Sequence, residues 1–462
     1  MNGTATASDL RLGTGYQDII RIALPITLAL VVPQINFLTN NIFLSQLGED
    51  SLAAAGLTGV FYLIFAVIGG GLNSGLQMLM ARKAGQNRPG QIALLFRQNT
   101  RITLLFGAAG ILLTYTLGAA ILRATVSDAG IANRVVEFLE IRILGLPLLY
   151  LYGQRNALLV GLGKTRWLVL GTMAEALANI LLDYLLIFGI GGFPELGFNG
   201  AAWASVFAEG IGLLAVSLAV RISGAGAIVS DAGRKNPIRL RVVRVILYSS
   251  SPLIVQFAIS IITWEYFYIL IEHHGARELA ISTTMRNIFG LAGIFFWAFA
   301  STTNTMVSNI IGQRREPDVL PLVGKIALVS LAFCSPVLLT LNIWPEFFLG
   351  VYGLGPSFIT AAIPVVHTVS IALLVTCVGA VWLNAVTGSG RTRVNLMIEA
   401  LAIVIYLIYV TLVLGVYRLS LVWGWASEII YWSCLLVCSF WYMRRGGWRR
   451  NDGQQLTEAV ND

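Results

Sequence analysis

Long apolar runs, separated by short polar stretches, occupy nearly the whole chain. Each run has at least the roughly 20 residues that a helix needs to cross a bilayer, and the runs are continuous rather than alternating as in a transmembrane strand. The twelve runs are 17–46, 51–81, 96–121, 135–160, 166–190, 198–221, 243–271, 278–311, 323–344, 358–387, 394–416 and 420–443. Numbered here as segments 1 to 12, they predict an all-α integral membrane protein with twelve transmembrane helices.

The chain repeats itself at a constant offset of 227 residues. The anchors that share this offset are Pro25 with Pro252, 48–53 with 275–280, 85–88 with 312–315, and 161–166 with 388–393. Because four anchors keep one register without a gap, they indicate a duplicated unit rather than a coincidence of composition. Two like halves in a membrane protein usually enclose a substrate path, so the repeat predicts a secondary transporter.

The polar stretches divide the chain into two homologous six-helix lobes. We predict an N-lobe at 1–221, a basic cytoplasmic linker at 222–242, a C-lobe at 243–443 and a cytoplasmic tail at 444–462. Segment 1 follows a polar tail, lacks a small-residue cleavage site and belongs to the repeat. We therefore expect a retained helix rather than a signal peptide.

Composition and charge support a membrane location. Hydrophobic residues make up 56% of the chain and charged residues 12%, whereas a soluble domain carries about 25% charged residues. Lysine and arginine concentrate in the linker, in the tail and after segments 2, 4, 8 and 10, and they produce the net charge of +8. By the positive-inside rule, both termini are predicted to be cytoplasmic, in a multi-pass protein of the plasma (inner) membrane. The positive charge is thus explained by topology, and we expect no nucleic-acid partner.

Segment 5 carries three polar residues on one helix face. Glu175, Asn179 and Asp183 are spaced by four, which places them along the same side of a helix. An ionisable side chain at the centre of a membrane helix costs at least about 2.5–3.5 kcal/mol, so it is a candidate for function. Carboxylate and amide oxygens suit a proton or a small hard cation. We predict that this face binds the coupling cation; hydrogen bonding between helices is the alternative.

Other polar residues of the first half complete a predicted pocket. They are Asn36, Thr39, Asn40 and Asn41 in segment 1, Asn73 and Gln77 in segment 2, and Ser205 and Glu209 in segment 6. Four polar groups within six positions of segment 1 cannot all face lipid, so they are expected to face protein or water. We assign Asn36 and Gln77 of this pocket to the substrate. Polar packing is an equal explanation for the pairs in segments 2 and 6.

The second half has a different chemistry at the equivalent positions. Asn40, Asn179 and Asp183 become Phe267, Tyr406 and Val410 after a shift of 227. This half instead contains Glu265 beside Trp264 and close to Phe267. A carboxylate framed by aromatic rings can hold an organic cation through charge and cation–π attraction. We therefore predict that these three residues contact the substrate; an interfacial aromatic belt with a salt-bridged glutamate is the alternative.

No pattern in the chain predicts an enzyme, a metal site or a cofactor. The glycine-rich stretch at 161–166 lacks the spacing and the preceding strand of a phosphate-binding loop. The four cysteines all lie inside apolar runs and are expected to be packing residues. His273 and His274 are adjacent, and adjacent residues do not face each other on a helix.

Several stretches resemble the multidrug and toxic compound extrusion (MATE) transporters. They are Gly-Leu-Gly-Lys-Thr-Arg at 161–166, Asn-Ile-Leu-Leu-Asp at 179–183, Gly-Phe-Asn-Gly-Ala-Ala-Trp-Ala-Ser at 197–205, Leu-Gly at 47–48 and Ala-Gly-Gln at 84–86. The resemblance extends over all twelve segments. It implies two six-helix lobes that exchange sodium ions or protons for cationic or amphipathic drugs by alternating access.

The resemblance also implies a cation site in the N-lobe, with one departure from the family pattern. Family members commonly carry an Asp where this chain has Asn40, and a Thr is frequent where it has Ser205. Asn179 and Asp183 match the pattern. The resemblance thus implies a cation site formed by Asn40, Asn179, Asp183 and Ser205. If that site carries over, Asp183 is the only acid among these four positions, and Glu175 is a candidate to compensate.

These observations predict an antiporter that exports amphipathic or cationic small molecules, coupled to influx of Na⁺ or H⁺. We expect a monomer that contacts its small-molecule substrate and membrane lipids. Two alternatives stay open: a lipid-linked oligosaccharide flippase of the same superfamily, and a channel or transport-inactive sensor.

Overall fold

The computed structural model describes residues 9–125, 129–230, 237–353 and 355–449, and helix is the only regular secondary structure in these ranges. The first six long helices are α1 (Tyr16–Ser45), α2 (Glu49–Gly85), α3 (Pro89–Leu113), α4 (Ala129–Arg142 and Leu146–Gly161, joined by the 3-10 turn Ile143–Gly145), α5 (Leu168–Phe188) and α6 (Gly197–Ile222). The next six are α7 (Leu240–Glu272), α8 (Ala276–Gly312), α9 (Val319–Ile343), α10 (Pro356–Gly388), α11 (Thr392–Val410) and α12 (Leu421–Arg445). Short helices precede, extend or connect them, among them Ala225–Ser230 after α6. The predicted all-α membrane fold is confirmed.

Helix α4 differs from the other long helices in its charge. Eleven helices in the described part of the chain are long and apolar enough to cross a membrane, and α4 is not among them. Its first part carries Arg134, Glu137, Glu140 and Arg142. The predicted run 135–160 is nevertheless helical on both sides of its 3-10 turn. The fourth helix of the first half is therefore present, with polar side chains that need partners.

The internal repeat is visible in the helix boundaries and in the backbone. Helices α2 and α8 begin and end 227 positions apart. The residues before them, Gly48 and Gly275, have φ values of 100° and 128°, a conformation that strongly favours glycine. Asn87 and Arg314, after the same helices, both adopt left-handed conformations with φ of 52° and 62°. The two halves therefore share even the conformation of their turns.

The chain forms two compact units whose boundaries lie inside helices. The N unit consists of 24–254, and the C unit consists of 9–23 and 255–449 among the described residues. The boundaries lie near Pro25 in α1 and Pro252 in α7, where each proline removes a helical hydrogen bond. The units thus divide the chain at positions other than the predicted linker. Residues 231–236 of that linker and 450–462 of the predicted tail lie outside the described ranges.

In the C unit, residues 10–14 are held against α8 and α9. The backbone N–H of Leu12 donates to Asn309 Oδ1 at 3.0 Å, and Asn309 Nδ2 donates to the carbonyl oxygen of Leu10 at 3.1 Å. Lys325 Nζ donates to the carbonyl oxygen of Thr14 at 3.2 Å. Because Asn309 is fully buried, these bonds satisfy an amide that would otherwise be costly to bury.

A corresponding contact occurs in the N unit, just before α7. Gln98 Nε2 of α3 donates to the carbonyl oxygen of Pro237 at 3.1 Å, and the backbone N–H of Arg239 donates to Gln98 Oε1 at 3.4 Å. Pro237 lies 227 positions after Leu10. Each half of the repeat therefore begins with a segment that is hydrogen-bonded by side chains of the other half.

Small residues bring α5 and α6 close together. A Cβ added at Gly200 of α6 would lie 2.6 Å from the carbonyl oxygen of Leu186, and one added at Gly212 would lie 2.9 Å from the Cβ of Glu175. Close approach through small residues is typical of helix pairs in membranes. This contact fixes the face that α5 presents to the rest of the N unit.

Candidate functional site

A polar cluster lies where α1 faces α5 in the N unit. Asn36 Nδ2 donates a hydrogen bond to Asn179 Oδ1 at 2.7 Å. Asn179 is 4% exposed and Asp183 is fully buried. Asn40 lies one turn after Asn36, and Asp183 lies one turn after Asn179, so each pair shares a face of its helix. The structure thus joins predicted residues from both helices by a direct side-chain contact.

This cluster contains polar atoms without a hydrogen-bond partner among the described residues. They are both carboxylate oxygens of Asp183, Oδ1 of Asn36, Oδ1 of Asn40 and Nδ2 of Asn179. A buried polar group without a partner costs about 1–3 kcal/mol, more when it is charged. A carboxylate with amide oxygens on the facing helix is a donor set that fits a small hard cation.

Glu175 and Ser205, also predicted for the cation site, lie beside a second polar cluster. Glu175 is half-buried on α5, and its charge interacts with those of Glu209 and Arg142. Ser205 is half-buried on α6, one turn before Glu209. Their role in binding a cation stays a prediction.

The second cluster is a buried ion pair between α4 and α6. The guanidinium of Arg142 donates to Glu209 Oε1 at 2.6 Å, and its Cζ lies 4.1 Å from the centre of the Tyr62 ring. The two charged side chains are 17% and 5% exposed. Each charge compensates the other where neither could be solvated. Arg142 has no signature in the sequence pattern, because its partner lies 67 residues away.

Besides Asn36, four residues are predicted to contact the substrate, and their environments differ from one another. Glu265 is exposed on α7, and Trp264 is half-buried against Tyr268, with ring centres 5.6 Å apart. Phe267 is fully buried and packs edge-on against Trp425 at 5.4 Å. Gln77 is 8% exposed on α2. Their role in substrate binding stays a prediction.

A buried acid of the C unit, Glu399 on α11, was not identified from the sequence. It is 2% exposed. Its Oε1 accepts hydrogen bonds from Ser260 Oγ at 2.6 Å and from the Tyr431 hydroxyl, and its Oε2 accepts one from Gln256 Nε2 at 3.3 Å. Asn395 Nδ2 in turn donates to Gln256 Oε1. Unlike Asp183, this carboxylate is fully hydrogen-bonded by neutral side chains.

A further buried acid, Glu428 on α12, was also not identified. It is 4% exposed and accepts a hydrogen bond from the Tyr406 hydroxyl at 3.3 Å. Tyr406 is the counterpart of Asn179 in the repeat. The C unit therefore places a phenol against an acid where the N unit has an amide next to Asp183.

Exchanging the acid and the amide of the Glu399 network should restore the stability that is lost when the acid alone is removed. In Glu399→Gln, the new NH2 group faces either Gln256 Nε2 or the hydroxyls of Ser260 and Tyr431. In both orientations a buried donor loses its acceptor, which should cost about 1–3 kcal/mol. Adding Gln256→Glu supplies a carboxylate that accepts from both the new amide and Asn395, so every hydrogen bond is kept. Thermal unfolding in detergent checks this. A double variant no more stable than the single variant would show that the network does not act as described.

Comparisons with known proteins identify the family of the chain. The sequence model of the MatE family matches residues 25–185 and 252–412, two stretches 227 positions apart. The probable multidrug resistance protein NorM of Synechocystis sp. is 29% identical over 213 residues, which are 45% of this chain and 46% of that protein. The probable multidrug resistance protein NorM of Thermotoga maritima is 22% identical over 438 residues, 92% of each chain.

A solved structure has the same fold. It is described as the outward-facing conformation of a multidrug resistance MATE family transporter of the MOP superfamily, and it matches 99% of this chain and 100% of its own with a TM-score of 0.85 at 17% identity. At this identity the likeness establishes the fold alone. Because the family model matches both halves of the repeat and well over half of the residues, the chain belongs to the MatE family, the multidrug and toxic compound extrusion transporters.

Proposed function

We propose that this transporter is an antiporter that exports amphipathic or cationic small molecules, driven by Na⁺ that binds at Asp183. The observation that carries the proposal is a fully buried carboxylate whose two oxygens have no hydrogen-bond partner in the described ranges. A bare buried charge is strongly unfavourable, so this group favours binding a cation or a proton. The relatives named as multidrug resistance proteins support the substrate class.

The amide oxygens around Asp183 favour Na⁺ over H⁺ as the coupling ion. A proton needs only the carboxylate, whereas Na⁺ needs several oxygen ligands at once. Asn36 Oδ1 and Asn40 Oδ1 are such ligands without another partner among the described residues. Asn179, which already accepts from Asn36, would orient the pair.

Helix α1 offers a physical route from ion binding to transport. Its residues 16–23 belong to the C unit, and its residues 24–45 belong to the N unit. An ion held between α1 and α5 therefore acts on a helix that is common to both units. Coupling then requires that the ion have different affinities for the two transport states. The loss of Asp at position 40, where Asn40 stands, leaves one acid to provide that difference.

We also propose that the protein is a monomer in the plasma (inner) membrane, with both termini in the cytoplasm. Basic residues at the ends of α2 and α12 and directly after α4, α8 and α10 support this orientation. The short connections on the opposite side, such as the one between α5 and α6 with Glu195, contain few basic residues.

Uptake by proteoliposomes under separate ion gradients tests the proposed coupling. We expect saturable, several-fold stimulated accumulation of a fluorescent organic cation when only a Na⁺ gradient is imposed, and background accumulation when only a pH gradient is imposed. Stimulation by the pH gradient alone would reassign the coupling ion to H⁺.

Two other outcomes would point to a different function. The absence of flux under both gradients, with translocation of a labelled lipid-linked oligosaccharide instead, would support the flippase alternative. Flux that neither saturates nor responds to an opposing gradient would support a channel.

A further inference from the structure

A cavity of about 430 Å³ opens between α3, α4, α6 and the short helix Ala225–Ser230 of the N unit. Its lining includes Phe96, Arg155, Ser217, Arg221 and Ser230, and no acidic residue from the described ranges contributes to it. Arg155 lies six residues before the end of α4, and Arg221 lies in the last turn of α6. Both helices end on the side that we predict to be cytoplasmic. The cavity is therefore near the level of lipid headgroups rather than at the bilayer centre.

The two arginines of this cavity have guanidinium donors available. Arg155 donates from Nη1 to the carbonyl oxygen of Leu151 at 2.8 Å, one turn earlier on the same helix. Its Cζ lies 6.0 Å from the centre of the Phe96 ring. Arg221 is exposed, and neither arginine forms an ion pair within the described part of the chain. Since a guanidinium has five N–H donors, most of them remain for an anion.

The position equivalent to Arg155 in the C unit is occupied by a buried aromatic side chain. Arg155 corresponds to Trp382, 227 positions later, and the helices that carry them end at Gly161 and Gly388, also 227 positions apart. Trp382 is 8% exposed and packs against Phe440 with ring centres 4.8 Å apart. The same fold thus accommodates a large apolar side chain at this position. The N unit has a cation and an open space instead, a difference that packing alone does not require.

An exposed apolar stripe runs along α6 to the cavity. Leu214, Leu218 and Ile222 are spaced by four and are 72%, 51% and 55% exposed. Exposed apolar residues at this spacing form one continuous helix face, which acyl chains cover in a bilayer. Arg221 directly precedes the last residue of the stripe. A lipid lying along this face would bring its headgroup to the arginines.

We propose that this cavity binds the phosphate headgroup of an anionic glycerophospholipid. Arg155 and Arg221 donate to the phosphate oxygens, and the stripe formed by Leu214, Leu218 and Ile222 contacts an acyl chain. Arginine suits this task because its planar fork can donate two parallel hydrogen bonds to one phosphate. Basic pockets between membrane helices on the cytoplasmic side bind such headgroups in general. The site is separate from the Asp183 cluster and does not depend on the proposed transport function.

Native mass spectrometry of the purified transporter tests this site. The protein is titrated with dioleoylphosphatidylglycerol and, separately, with dioleoylphosphatidylcholine. We expect one phosphatidylglycerol to bind at least about tenfold more tightly than phosphatidylcholine to the unchanged protein, and this preference to be lost in the double variant Arg155→Gln/Arg221→Gln. The matched control is Arg166→Gln, which removes a basic residue stacked near Trp167 outside the cavity. It should bind phosphatidylglycerol as the unchanged protein does.

A second variant distinguishes loss of the site from misfolding, and a second ligand distinguishes the source of the phosphate. Arg155→Trp introduces the residue that the C unit accommodates at the equivalent position, so it should fold and still lose the lipid preference. Equal phosphatidylglycerol binding by the unchanged protein, by Arg155→Gln/Arg221→Gln and by Arg155→Trp would overturn the proposal. Competition by millimolar inorganic phosphate that removes the bound lipid would assign the cavity to free phosphate, and the lipid proposal would then be wrong.

Discussion

Replacing Asp183 with Asn should abolish ion-driven export while leaving the protein folded. Asparagine has nearly the same shape as aspartate, and the two carboxylate oxygens have no hydrogen-bond partner in the described ranges that the change could remove. The variant loses only the charge that holds the cation. We therefore expect gradient-driven uptake in proteoliposomes to fall to the level of protein-free vesicles, with an unfolding temperature equal to or above that of the unchanged protein.

The control for this prediction is an acid of the same half that lies outside the cluster. Glu195 is exposed in the connection between α5 and α6, and Glu195→Gln should transport at the unchanged rate. Binding of the organic cation without a gradient separates loss of coupling from loss of substrate affinity. Undiminished gradient-driven transport by Asp183→Asn would show that the coupling ion binds elsewhere, and Glu399 and Glu428 would be the next acids to replace.

Removing Glu209 alone should destabilise the protein by about 3–5 kcal/mol, because it leaves the charge of Arg142 buried without its partner. Removing both charges should cost much less, since an apolar pair requires no compensation. Glu209→Met, Arg142→Met and the double variant, compared by denaturant unfolding in mixed micelles, measure this difference. Glu175 also interacts with Arg142, so the loss in Glu209→Met should increase when Glu175→Gln is added.

An exposed ion pair of the same protein supplies the matched control. Arg315 and Asp318 approach to 2.6 Å with side chains 45% and 43% exposed. Surface pairs contribute about 0–1 kcal/mol, so Asp318→Ala should change the free energy of unfolding by no more than that. If Glu209→Met is as mild as Asp318→Ala, the Arg142 charge is solvated and the cluster is not the buried pair described here.

The fold could be predicted from the sequence because its signals are local. A helix that crosses a bilayer must be apolar over about 20 consecutive residues, and a duplicated chain shows its register directly. The pair Asn179 and Asp183 could be identified for the same reason, since a spacing of four on one helix is enough to place both on one face. The hydrogen bond from Asn36 to Asn179 then required only that α1 face α5.

The cost of a charge in a membrane helix also makes Glu399 and Glu428 candidates, but their hydrogen-bond networks could not be predicted, because the partners are distant in sequence. Glu399 stands alone in an apolar run, and its partners Ser260 and Gln256 lie 139 and 143 residues away. For Glu265 the difficulty is different, because its aromatic neighbours are close in sequence. They cover both faces of α7 at this point, so the sequence does not tell which face of the helix is buried.

The contacts of Leu12 and Thr14 have a consequence for synthesis in the cell. Leu12 and Thr14 bond to Asn309 and Lys325, which lie 297 and 311 positions later. At a translation rate of about 5–20 residues per second, Asn309 and Lys325 leave the ribosome roughly 15–60 s after Leu12 and Thr14. Leu12 and Thr14 therefore wait for their native contacts until much of the chain has been made, and a ribosome that stalls before α8 leaves those contacts unformed.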